Sequence, residues 1–70
     1  MTIGEFCKLL EANGATAISV GEKDGKGFVS FQYEGSVKSL KGATELLRGI
    51  VGKNVVCCSN GEDQYHMLWR

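Results

Sequence analysis

The spacing of apolar residues in this chain switches between a helical repeat and a strand repeat, and does so twice in the same order. Ile3, Phe6, Cys7 and Leu10 stand at i, i+3, i+4 and i+7, one stripe of a helix. Ahead of them Thr2 and Glu5 have the spacing of a capping box, in which the hydroxyl accepts one free amide and the carboxylate another. Asn13-Gly14 behind them tolerates the left-handed backbone on which helices end. The pattern predicts a helix over residues 3–12.

From Ala15 the period becomes two. Thr16, Ile18 and Val20 share one face of a strand, with Ala17 and Ser19 on the other. Glu22 to Gly27 holds no apolar residue and carries Asp24-Gly25, a hairpin signal. Phe28 to Tyr33 then alternates again, Val29, Phe31 and Tyr33 against Phe28, Ser30 and Gln32. After Glu34-Gly35 the reading divides. Ser36 to Leu40 fits a short edge strand blunted by its lysine, or Ser39 caps the next helix directly. Ala43, Leu46, Leu47 and Ile50 form the second helical stripe, with Thr44 a candidate later cap. Gly49 inside that stripe costs about 1 kcal/mol relative to Ala and argues for a helix that is short or closely packed there.

Val55 to Ser59 and Gln64 to Trp69 read as a second hairpin around Asn60-Gly-Glu-Asp63. A four-residue loop sets Ser59 opposite Gln64, Cys58 opposite Tyr65, Cys57 opposite His66 and Val56 opposite Met67. Val56, Cys58, Tyr65, Met67 and Trp69 then share one face, and burial of that set would fix the register. A two-residue Asn60-Gly61 turn would instead set Val56 opposite Tyr65. The order α-β-β-(β)-α-β-β, with no proline and short connections, predicts one domain over residues 1–70. Its class is α+β, a two-layer sandwich of two short helices on one face of a mostly antiparallel four- or five-stranded sheet.

Size and charge exclude most functions. Seventy residues bury only about 60% of their unfolded surface, too little for a complete cofactor crevice, a barrel or a repeat array. Eight basic and eight acidic side chains give no net charge, against both strong nonspecific nucleic-acid binding and mimicry of DNA. Three cysteines without C-x-x-C spacing read as free thiols of a reducing cytosol. No run approaches the ~20 apolar residues of a membrane span, and the start does not resemble a secretion signal. A cytoplasmic protein without membrane contact is expected.

No motif carries chemistry on its own. Gly21 to Gly27 has three residues, not four, between Gly21 and the Gly25-Lys26 step, carries Gly27 where a Ser or Thr is needed, and joins two strands, so it is no phosphate loop. Cys57 opposite His66 is the sharpest chemical possibility, since a thiolate–imidazolium pair activates cysteine nucleophiles. Cys57, Cys58, His66, Glu62 and Asp63 lie near one hairpin, but adjacent cysteines diverge and no zinc spacing is present. No catalytic residue, metal or cofactor is therefore expected.

Two helices leave the far side of the sheet uncovered. Phe28, Val55 and Leu68 lie opposite their strands' main apolar sets, with Cys57 and His66 at the edge of the patch they would form. The expectation is a small non-enzymatic binding module, an accessory or inhibitory protein of the kind viruses also carry, that meets a protein partner or a second copy through a sheet face or edge. A nucleotide or nucleic-acid binder is the alternative, with Lys23 and Lys26 as phosphate contacts and Tyr65 and Trp69, beside Phe28, as stacking platforms. A Cys57/His66 thiol enzyme is the third reading.

Overall fold

The computed structural model describes residues 1–59 and 61–70; Asn60, which the sequence places in the second hairpin's loop, lies outside the described residues. Six elements follow in order: α1 (Ile3–Ala12), β1 (Thr16–Lys23), β2 (Lys26–Gln32), α2 (Val37–Val51), β3 (Val55–Ser59) and β4 (Gln64–Trp69). The strands form one antiparallel sheet in the order β1-β2-β4-β3. Both helices pack on one face, α1 beside β1 and α2 beside β3. The α+β sandwich expected from periodicity is the fold observed, with four strands.

Helix α1 ends as its sequence dictates. The Thr2 hydroxyl accepts the Glu5 amide at 3.2 Å, and the Glu5 carboxylate accepts the Thr2 amide at 3.0 Å. Those bonds favour the ionised acid and hold Glu5 below the usual carboxylate range. At the other end Gly14, at φ 98°, donates to Glu11 C=O while Ala15 donates to Leu10 C=O. That bond pair is the Schellman arrangement, with buried Ala15 against buried Leu10 as its apolar contact.

Helix α2 corrects two expectations. Residues 36–40 are not a strand: Ser36 is the N-cap, its hydroxyl accepting the Lys38 amide, and the helix starts at Val37. Ser39 and Thr44 cap nothing. Thr44 is buried in the helix and donates to Leu40 C=O at 2.7 Å, which satisfies its hydroxyl without solvent. The helix runs 15 residues despite Gly49, since Leu40 and Leu47 bury its inner side and Gly52, at φ 69°, ends it.

The second hairpin is one residue out of the expected register. Ser59 pairs with Tyr65, Cys58 with His66, Cys57 with Met67, Val56 with Leu68 and Val55 with Trp69. A slip of one residue turns a whole strand over. Val55 is thus fully buried beneath α2, Cys57 faces the helices, and Val56 and Cys58 face away from them. Tyr65, Met67 and Trp69 point inward as expected.

Hydrogen-bond direction follows from the same register. Tyr33 donates to Asp63 C=O at 2.9 Å, continuing the β2–β4 ladder. Alternation then makes Phe31/Tyr65, Val29/Met67 and Gly27/Trp69 the bonded pairs of that ladder. His66 and Leu68 are left to bond Cys58 and Val56, so the backbone groups of Val55, Cys57 and Ser59 point outward from the sheet edge. Arg48 agrees independently: its guanidinium donates to the Val55 C=O at 3.1 Å. The opposite edge, β1, is bulged between Thr16 and Ser19, with Ala17 at φ 51°.

Gly49 and Gly14 should respond oppositely to alanine. A Cβ at Gly49 meets no atom within 4 Å, so Gly49→Ala should stabilise the chain by about 0.5–1 kcal/mol. Gly14→Ala forces an alanine to φ 98° and should cost about 1 kcal/mol or more. Urea unfolding of the two variants beside the parent checks both signs.

Candidate functional site

The uncovered face of the sheet carries its side chains in rows that cross all four strands. Register places Gly21, Phe28, Leu68 and Val56 in one row and Ser19, Ser30, His66 and Cys58 in the next. The first row is apolar and open to water: Phe28 is 37%, Leu68 43% and Val56 57% exposed. A Cβ on Gly21 would overlap the Phe28 ring, so the ring leans across the glycine and extends the apolar surface onto β1. Burying such a row on a partner is favourable at about 25 cal/mol per Å² of apolar area.

Beyond this row lies a charged end of mixed sign. Lys23 pairs with Lys26 at the hairpin tip, and the open hollow beside them is also lined by Glu22, Asp24, Phe28, Leu68 and Arg70. Lys53 reaches the same tip and donates to Gly25 C=O at 2.7 Å, tying the α2–β3 connection to the first hairpin. Glu34, Glu62 and Asp63 line a polar hollow at the opposite end of β2 and β4.

Of the residues singled out in the sequence, Phe28, His66 and Leu68 share the open face. Val55 and Cys57 do not join them, for the register reason already given. Tyr65 and Trp69 also face the helices, where Tyr65 stacks against Phe31 at 6.0 Å between centroids and Trp69 is only 3% exposed. A Cβ on Gly27 would overlap the Trp69 indole, so the ring is seated on bare backbone in the core. Neither is free to stack a base. Lys23 and Lys26 keep their exposed place beside Phe28.

The register separates Cys57 from His66 and brings Cys58 opposite the imidazole instead. Sequence reasoning missed Cys58 and Val56 as members of the open face; a five-residue interval between Ser59 and Tyr65 is the signal that would have found them. Among the described residues no hydrogen bond joins Cys58 to His66, and the one ion pair is Arg48 with Glu45, so no carboxylate orients the ring. Among the same residues no three His, Cys, Asp or Glu side chains gather as metal ligands. All three cysteines are free, and no helix among the described residues is long and apolar enough to cross a membrane.

Compared with protein-family models, with curated proteins and with solved structures, the chain shows no match.

Burial under α2 pushes the Cys57 thiol above its ordinary pKa, against a hydrogen bond with Thr44 that pulls it down. A pKa raised by folding means that the native state favours the protonated thiol. That contribution is complete below the unfolded value and fades as pH climbs through the folded one, so stability should fall on the alkaline side. Cys57→Ala should flatten this alkaline fall in urea midpoints measured against pH. With a thiol reagent, exposed Cys58 should be modified about tenfold faster than Cys57.

Proposed function

We propose that the chain is a non-enzymatic binding module of the cytoplasm whose contact surface is the open face of its sheet, and that it acts by occupying a protein partner. The observation that carries this reading is the continuous apolar row Phe28–Leu68–Val56 across three adjacent strands on the side the helices leave bare. Single exposed hydrophobics are ordinary on any protein, but a row aligned by strand register is a surface. Lys23, Lys26 and Arg70, with Glu22 and Asp24 beside them, supply a charged rim of both signs at one end of the row.

Leu68 stands at the middle of the row and is its expected anchor. Leu68→Lys should leave the circular dichroism spectrum and melting temperature nearly unchanged, because the side chain meets water on this face. Affinity for the partner should fall about 30-fold or more, the loss of a central apolar contact worth about 2 kcal/mol. The measurement compares proteins retained from a host lysate by the immobilised parent and by the variant. A species retained by the parent and lost from Leu68→Lys supports the reading. Identical retention by both overturns it.

A further inference from the structure

We propose that the hollow between the two helices binds a small neutral molecule with an apolar body and one hydrogen-bonding end. The site belongs to the helix layer, on the other side of the sheet from the row Phe28–Leu68–Val56, and does not depend on what meets that row.

The hollow exists because of what α2 presents toward α1. Leu40, Thr44 and Leu47 are the buried residues of α2. One step round the helix stand Ser39, Gly42, Ala43 and Leu46, at i, i+3, i+4 and i+7. Three of those four residues are too short to reach across to α1. A hollow of about 310 Å³ therefore stays open between the helices, with Phe6, Leu9 and Leu10 as its α1 wall. Neither helix closes it: a Cβ on Gly42 meets no atom within 4 Å, and Leu9 is 44% exposed.

Charge and size select the occupant. No Lys, Arg, His, Asp or Glu lines this hollow. The hollows bordered by Glu34 and Asp63, by Lys23 and Asp24, by Arg70, and by Lys41 and Glu45 all present formal charge. An ion entering the space between the helices would lose hydration with no counter-charge to offset the loss. A neutral molecule loses little there and buries its apolar surface. An apolar cavity of about 150 Å³ holds benzene, so twice that volume suits a body of about ten to twelve non-hydrogen atoms. A peptide helix, about 10 Å across, is too thick to enter.

Polar groups gather at one end. α1 runs toward the end of the sheet where Thr16 pairs with Gln32, and α2 starts there, which brings Asn13, Tyr33 and Ser39 together around the hollow. The Asn13 side-chain amide donates to Leu9 C=O at 2.8 Å, leaving its oxygen as an acceptor. The Tyr33 ring is seated over Gly35, where a Cβ would overlap its hydroxyl. Among the described residues no hydrogen bond engages the Tyr33 or Ser39 hydroxyl. Apolar walls with a few polar groups to one side are the composition of small-molecule sites, where the walls supply affinity and the polar groups orientation.

2-Naphthol, a neutral aromatic alcohol of the right size, is the probe. Titrated into the full chain and followed by methyl nuclear magnetic resonance, it should give saturable shifts at Leu9, Ala43 and Leu46, with a Kd below about 1 mM. Val56 and Leu68 should not move. Naphthalene-2-sulfonate, the same body with a fixed charge, should bind at least about tenfold more weakly. Gly42→Leu places a side chain in the open space and should weaken 2-naphthol about tenfold while the circular dichroism spectrum is kept. Ser39→Ala, which leaves the walls intact, should weaken it about fivefold. The proposal is overturned by absence of saturable shifts at the three residues, by shifts centred on Val56 and Leu68, or by a sulfonate that binds as tightly as the alcohol. Parent-like binding by both variants also overturns it, as do shifts of the same methyls on dilution without probe, which would give the hollow to a second copy. Leu68→Lys should bind 2-naphthol like the parent, so failure of the open-face reading is told apart from failure of this one.

Discussion

A strand inside a sheet has neither a free edge nor a free choice of face, and here β2 and β4 hold that position, with β4 joining the two hairpins. Its inward residues Met67 and Trp69 are buried against the helices, and its two ladders hold β2 on one side and β3 on the other. Once Tyr65, Met67 and Trp69 are inward, every neighbouring strand must match that parity. Val29 and Phe31 do so from β2, and Val55 and Cys57 from β3. Trp69 adds a second demand, since its indole is seated over Gly27 and any larger residue there would displace it.

The open face is the other side of the same constraint. Burying the odd residues of β4 turns His66 and Leu68 outward, and with them Phe28 and Ser30 of β2 and Val56 and Cys58 of β3. The two helices roof one side of the four strands, and among the described residues no element covers the other. The apolar row is thus the residue of a folding problem as well as a surface for contact.

Sequence and structure agree where a segment's chemistry has one reading. Helix α1 has a capping box, a single stripe and an Asn-Gly exit, and each performs as its residue types require. Segment 36–40 was ambiguous because Ser-Val-Lys-Ser-Leu alternates like a strand while its first serine also caps a helix; Leu40 decides it by joining Leu47 in the core, four and seven residues along the helix with buried Thr44 between. The parity of β3 was hidden by its doublets. Val55-Val56 and Cys57-Cys58 offer the same residue to either face, so alternation casts no vote, and the loop length that would settle it runs through Asn60. Phe28, His66 and Leu68 were placed correctly because β2 and β4 alternate strongly. Val55 and Cys57 were misplaced because β3 does not.

Solvent exposure of individual methyl groups tests this account most directly, through paramagnetic broadening of their nuclear magnetic resonance signals by a soluble relaxation agent. The register described here predicts strong broadening for Val56 and Leu68 and almost none for Val55, Val29 and Met67. Broadening of Val55 with protection of Val56 would mean that β3 is turned over, and protection of Leu68 would mean that the sheet has no open apolar face at all.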